Sequence, residues 1–374
     1  MNKTIHIVSL DIPYPPNYGG AIDIFYKIKA FYEVGFEIHL HCFEYNERSP
    51  QSELSLLCKA VYYYPRNFSW MGQVKFTPFI INSRAPSKLL ERLVGLDAPI
   101  LFEGLHATAF LSHPLLKKRF KVVRTHNIEH DYYWNLAKVE RGFFKKCFFI
   151  WEAMRLKFYQ PQLKKAQVVA AISLADKSYF SRFLKKVVYL PPFHPHNQVS
   201  GQVGRGSMVL YHGNLGVGEN AEAASYLVRE IFNDANLPRL IIAGNNPPSW
   251  LINQIEANPQ VELRNGLSNA EIMQLVSEAQ VNVLPTFQGT GIKLKLLAAL
   301  FTGRFCVVNP IMVNETGLAN ACLVAQSVAD FKSAIIDCMN KDWTLADLQK
   351  RKQDLTSFDI QLATQSLLDL FLNQ

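Results

Sequence analysis

At 374 residues the chain is longer than one hydrophobic core usually grows, so two domains are expected. A hydrophobic content of 49% with 19% charged residues excludes a disordered or tail-like protein, and no apolar run is long enough to span a bilayer. A formal charge of +8 favours an anionic partner, and six scattered cysteines without a C-x-x-C pair indicate neither a zinc site nor a disulfide framework.

The chain opens directly on a strand, Thr4 to Leu10, with no signal-peptide pattern before it, so a cytoplasmic protein is expected. A loop rich in proline and glycine follows, ending in Asn17-Tyr18-Gly19-Gly20. Ile22, Phe25, Ile28 and Phe31 then recur at helical spacing up to Gly35. Phe36 to Phe43 alternates as a second strand, which completes a βαβ opening. The first loop lacks G-x-G-x-x-G, which disfavours a dinucleotide-dependent dehydrogenase, yet its paired glycines imply close backbone approach to a ligand.

Ile100-Leu101-Phe102 leads into Glu103-Gly104-Leu105-His106, and Val122-Val123 into Arg124-Thr125-His126-Asn127-Ile128-Glu129-His130. Polar groups thus cluster past the carboxyl ends of two apolar strands, where open α/β sheets bind ligands. Residues 138–165 carry eight basic and two acidic side chains interleaved with Phe143, Phe144, Phe148, Phe149, Ile150 and Trp151. Two readings stay open for them: a core-facing helix with a solvated basic back, or a helix lying on an anionic membrane.

Gln167 to Ile172 and Val187 to Leu190 read as further strands. Pro191 to Gly206, rich in proline and glycine and without hydrophobic period, marks the domain boundary. Beyond it a second series of strands is expected at Met208–Tyr211, Arg239–Ala243, Val261–Leu263, Val281–Leu284 and Phe305–Val308, each followed by a small-residue turn. Helices at Asn220–Phe232 and Asn269–Ala279 lie between them. Domains are therefore placed at 1–195 and 208–355, with a helical segment at 356–374 packing back across their junction.

The stretch from Val281 to Phe301 reads as strand, glycine loop and helix. Gly289 and Gly291 admit a ligand to the backbone, and the helix start suits an anion such as phosphate. Lys293 falls in the first helical turn, where a cation is unfavourable unless an anion is bound or the side chain bends away.

Pro16-Asn17-Tyr18-Gly19-Gly20, Glu103-Gly104, Arg124-Thr125-His126-Asn127, Gly213-Asn214-Leu215 with Asn220, and Gly289-Thr290-Gly291-Ile292-Lys293-Leu294-Lys295 with Gly303 together resemble the GT-B glycosyltransferases, in particular the retaining family 4 enzymes that use nucleotide sugars. The resemblance implies an α/β protein with two doubly wound Rossmann-like domains facing each other across a cleft. The first would hold the acceptor, with Glu103, His106 and Asn127 as contacts. The second would hold the nucleotide sugar, with Gly213, Asn214, Gly289, Thr290, Gly291 and Ile292 around the donor and Gly19 and Gly20 of the first approaching its diphosphate. His126 and Lys293 would be catalytic, the lysine neutralising the departing diphosphate. The reaction implied is retaining transfer to a glycan or lipid-linked acceptor in cell-surface polysaccharide or glycolipid synthesis. The resemblance needs no cofactor beyond the donor and no metal, and the chain has no Asp-x-Asp motif. Nucleic acid is not an expected partner, and peripheral contact with the inner membrane face through 138–165 is one of the two readings left open above.

Two departures stand out. The family commonly carries glutamates where this chain has Gln288 and Ala298, and an alanine side chain cannot accept a ribose hydrogen bond. Gly216-Val217-Gly218-Glu219-Asn220 also lacks a basic residue often found there. A catalytically silent binding protein or scaffold on the same fold, or a sugar-nucleotide epimerase, are the competing expectations.

Overall fold

The structure, a computed structural model, describes residues 3–45, 48–69, 76–140, 142–289 and 293–372. The chain divides into two compact units. One runs to Pro195 and takes back the chain from Ile360, and the other comprises His196–Gly289 and Lys293–Asp359.

The first unit is built on a seven-stranded sheet in the order β3-β2-β1-β4-β5-β6-β7. Its strands are β1 (Thr4–Val8), β2 (Glu37–Glu44), β3 (Ala60–Pro65), β4 (Ile100–Glu103), β5 (Lys121–Thr125), β6 (Val168–Ala171) and β7 (Val187–Tyr189). Every pairing is parallel, with Ile5 beside Ile38 and Ile7 beside Leu101. Parallel strands need both faces covered, which is why β1, β4 and β6 read as nearly continuous apolar runs. One face buries Ile5, Ile7 and Leu40 with Ile24, Ile28 and Phe31 of the Gly19–Glu33 helix. The other buries Val8, Phe43, Ile100, Phe102 and Val123. The Ile360–Leu372 helix belongs to the first face, where Phe371 packs edge-on against Phe31 and Phe120.

The second unit repeats the plan with six strands in the order β10-β9-β8-β11-β12-β13. They are β8 (Val209–His212), β9 (Leu240–Ala243), β10 (Val261–Arg264), β11 (Val281–Val283), β12 (Phe305–Val308) and β13 (Leu323–Val324). Strand order reverses between β1 and β4 in one sheet and between β8 and β11 in the other, so each sheet has a topological switch point of the kind that opens a ligand crevice. The loops after β1, β4, β8 and β11 are the ones the sequence marked with glycine, histidine and lysine.

Strand β3 and the short β13 were not anticipated. Ala60–Pro65 sits at the sheet edge with four half-buried residues, so it lacks both the alternation and the continuous apolar run that betray more buried strands.

The Phe143–Tyr159 helix corrects one of the two readings of residues 138–165. It buries Glu152, Ala153, Arg155 and Leu156, with Glu152 and Arg155 ion-paired and Glu152 accepting the Ile80 N–H at 2.9 Å. Phe143, Phe144, Trp151, Met154 and Phe158 face outward, Phe144 being 87% exposed. The side turned to the core is thus the one bearing the ion pair, and the solvated back is aromatic as well as basic.

Candidate active site

In the first unit a helix and two strands converge on one buried cluster of charges. Asp23 and Lys27 stand one turn apart on the inner side of the Gly19–Glu33 helix, Glu103 ends β4, Arg124 lies in β5 and His126 follows it. The Lys27 ammonium donates to Asp23 Oδ2 at 2.9 Å and to both Glu103 oxygens at 2.8 and 2.9 Å. Arg124 forks onto Asp23 at 3.3 and 3.2 Å and also donates to the carbonyls of Leu190 and Pro191. The Phe193 N–H donates to Asp23 at 2.7 Å. His126 Nε2 lies 3.1 Å from Glu103 Oε2, and Nδ1 is 3.9 Å from Asp23 Oδ2.

Burial alone would raise the pKa of Asp23, yet the Arg124 and Lys27 charges hold it well below the carboxylate range. Glu103 is also held down, by Lys27 and His126 against its own burial. Asp23, Glu103 and His126 present ligand atoms within 4.8 Å of one another, a spacing that could hold a metal ion. The Lys27 ammonium already bridges the two carboxylates, so a divalent ion would have to displace it, and the cluster reads as a charge-balanced ion-pair network.

This network fixes the ring of His126. Glu103, expected among the acceptor contacts, is fully buried with both oxygens engaged, so its influence on a ligand passes through His126. His106 is buried on its Nδ1 side behind Gly104, whose φ of +78° only glycine adopts readily. Asn127 is partly exposed just past β5. His130 is held by Gln160 Oε1 at 3.0 Å and ties its helix to the following segment. Gly19 and Gly20 begin the Gly19–Glu33 helix. A Cβ on Gly20 would lie 3.0 Å from the Tyr18 ring, whose hydroxyl donates to Asp11. Asp23, Lys27 and Arg84 escaped sequence reasoning. Arg84 is buried and donates to the carbonyls of Leu10 and Ile80, both at 2.7 Å.

In the second unit the switch point carries two lysines. Lys293 caps the Leu294–Thr302 helix, and its ammonium donates to Glu219 Oε1 at 2.9 Å. The Thr286 hydroxyl donates to the same oxygen. Lys295 donates to Asn220 Oδ1 at 2.8 Å and lies over the Tyr211 ring at 5.1 Å. Burial, followed by the opposing influences of Glu219 and Lys293, brings its pKa down to about 8. Burial and then the Lys295 charge push His212, at the end of β8, down to about 3. Gly213 donates to the Ala243 carbonyl at 3.1 Å. Asn214 shapes the turn, its side chain accepting from the Gly216 N–H at 3.0 Å and its carbonyl from Asn220 at 2.9 Å. Close packing forces glycine at 244, where a Cβ would fall 1.9 Å from the Gly213 carbonyl oxygen. Among the described residues nothing crowds a Cβ at Gly289 nearer than Ile311 at 3.8 Å. Thr290, Gly291 and Ile292 lie outside the described residues. Gln288 is partly exposed, whereas Ala298 is buried within its helix. The sequence showed Glu219 only as a missing cation, and Lys295 only as part of a pattern.

Residues 206–341 match the model of the family Glycosyl transferases group 1. Over the whole chain the fold is similar to that of TarM, with a TM-score of 0.66 at 12% identity, covering 100% of this chain and 98% of that one. It is also similar to Anabaena HepE in complex with UDP and glucose, with a TM-score of 0.64 at 13% identity, covering 99% of this chain and 100% of that one. The chain has the GT-B fold, and its second unit carries the Glycosyl transferases group 1 match. A further relative, an uncharacterised 44.6 kDa protein in the cps region of Klebsiella pneumoniae, is 26% identical over 330 residues, 84% of either chain. The matched family segment contains β8, β11 and both lysines. No helix among the chain's described residues is long and apolar enough to cross a membrane.

Proposed function

We propose that the enzyme transfers a sugar, with retention, from a nucleotide-sugar donor to a glycan or lipid-linked acceptor in the synthesis of a cell-surface polysaccharide or glycolipid. The observation that carries this reading is the pair of lysines at the β8/β11 switch point. Lys293 is paired with the Glu219 carboxylate while Lys295 bonds the neutral Asn220, which leaves a surplus positive charge at a helix start that suits the diphosphate of a donor. HepE with UDP and glucose, and a relative from a cps region, support the donor and the setting. His126 and Lys293 act on the transferred sugar and the leaving diphosphate, and the protein itself supplies no metal or cofactor.

Calorimetry with UDP, GDP and their sugars tests the reading, because a transferase binds at least one of them. Binding of none would favour the silent scaffold, a reading that Ala298 motivates. Proton NMR of the first-formed product distinguishes retention from inversion through the anomeric coupling, and would equally reveal an epimerised donor.

The finer partner is an anionic membrane on the cytoplasmic side. Phe144, Cys147, Trp151, Met154 and Phe158 follow one another at alternating spacings of three and four and form an exposed stripe, with Lys146, Lys157, Lys164 and Lys165 exposed on or just past the same helix. Substituting serine at Phe144, Trp151 and Phe158 together is expected to reduce flotation with phosphatidylglycerol vesicles by about ten-fold or more, each exposed aromatic contributing on the order of 1 kcal/mol of insertion. Wild-type protein that stays in the supernatant with such vesicles would remove the membrane from this reading.

A further inference from the structure

At the carboxyl ends of β1, β4 and β5 the first unit leaves polar atoms buried without a well-formed hydrogen bond among the described residues: Asp11 Oδ1, His106 Nδ1 and both oxygens of Glu129, the last approached by the Asn127 side chain. Glu129 opens the Glu129–Val139 helix, is 3% exposed, and places Oε1 3.8 Å from His106 Nδ1. A carboxyl group sealed in this way normally finds a partner. Gly104 brings the two histidines of the site together, since a Cβ there would lie 3.1 Å from His106 Nδ1 and 3.6 Å from His126 Cδ2. The His106 side chain is 19% exposed although Nδ1 is buried, and Nε2 is not among the buried unpartnered atoms, so Nε2 is the nitrogen that meets solvent.

We propose that Glu129 and His106 form a proton-sharing pair in which Glu129 is a positioning residue and His106 Nε2 binds a hydroxyl of the sugar acceptor. This rests on the reading of the chain as a sugar transferase and assigns the acceptor side of that reaction to a defined pair. A small closure of the 3.8 Å gap makes the bond. When Glu129 is protonated its O–H donates to Nδ1, so Nε2 carries the ring proton and donates to an acceptor oxygen. When Glu129 is ionised, Nδ1–H donates to the carboxylate, and Nε2 offers a lone pair to the acceptor O–H. Burial pushes Glu129 up to about 8, the Asn127 amide restrains the rise, Asp176 adds to it and Arg84 opposes it. His106 is held neutral by burial and by the charges of Arg84, His126 and Arg66. Tyr133, on the helix of Glu129, feels that carboxyl's charge, and Arg84 links the pair to Asp11 and Tyr18 on the β1 loop. A neutral ring with one free nitrogen suits a hydroxyl rather than a phosphate.

Two measurements test the pair. Nitrogen-15 NMR of the wild-type imidazoles is expected to show the His106 ring proton exchanging between Nε2 and Nδ1 around pH 8, and the exchange should vanish in Glu129→Gln. A ring with one fixed tautomer from pH 6 to 9.5 in folded wild-type protein overturns the proposal whether or not the chain is a transferase. In steady-state transfer assays, His106→Gln is expected to raise the acceptor KM by about ten-fold and the donor KM by less than about two-fold. Glu129→Gln is expected to abolish the dependence of acceptor kcat/KM on a group near pH 8. A persistent limb in Glu129→Gln, or equal rises of both KM values in His106→Gln, overturns it. Wild-type protein that binds no nucleotide counts against the transferase reading and, with it, against the acceptor as the pair's ligand.

Discussion

Replacing Lys27 with methionine is expected to destabilise the first unit by about 4 kcal/mol, the usual range when one partner of a buried ion pair is removed. Lys27 is fully buried, and its ammonium is the only group that bonds both Asp23 and Glu103 among the described residues. Without it two carboxylates remain in a dry interior with Arg124 and His126, neither of which reaches both at hydrogen-bond distance. The pH dependence has a definite sign. Asp23 and Glu103 have depressed pKa values in the folded protein, so their contribution is full above the unfolded carboxylate range, near 4, and is lost as pH falls from there through their lower folded values. Removing Lys27 raises both folded values and moves acid unfolding to higher pH. Urea unfolding at pH 7 and at pH 5 measures both effects. Adding Glu103→Leu to Lys27→Met should recover part of the loss, because the uncompensated charge has gone. Unchanged midpoints in Lys27→Met would show that the cluster does not stabilise the fold.

The same residues show how far the sequence could be read. Strands β1, β2, β4, β8 and β12 were legible because parallel sheets bury both faces and so leave uninterrupted apolar runs or clear alternation. The site loops were legible because glycine and polar residues follow those runs at once. Asp23 and Lys27 were not, since an acid and a lysine four residues apart look like an ordinary surface pair on a helix. Only Glu103, from a strand 76 residues further on, makes that pair internal. The Phe143–Tyr159 helix failed for a different reason. Aromatic residues occupy most of its circumference, so periodicity could not tell its inner side from its outer one until Glu152 and Arg155 were seen facing the core.

Lys293→Ala is expected to weaken nucleotide diphosphate binding by about 100-fold, and Lys295→Ala by about ten-fold, from the 1.5–3 kcal/mol of a hydrogen bond to a charged group. The inequality follows from Glu219. Lys293 offsets that carboxylate directly, so its removal both deletes a cation and leaves an anion facing the phosphates. Lys295 instead bonds neutral Asn220 and covers Tyr211, so its loss removes a cation and exposes no opposing charge. Glu219→Gln should accordingly tighten binding several-fold, since Lys293 no longer divides its charge between a carboxylate and the ligand. Lys295 also sets a pH limb. With its free-state pKa lowered to about 8, and raised when an anion binds, affinity is greatest below pH 8 and falls as pH rises through it. Lys295→Arg should keep the affinity and remove the limb, because a guanidinium stays charged across that range. Isothermal titration from pH 6.5 to 9.5 separates the cases. Equal losses from the two alanine variants, with Glu219→Gln silent, would mean that the carboxylate turns away when the diphosphate arrives and that the donor charge is met elsewhere.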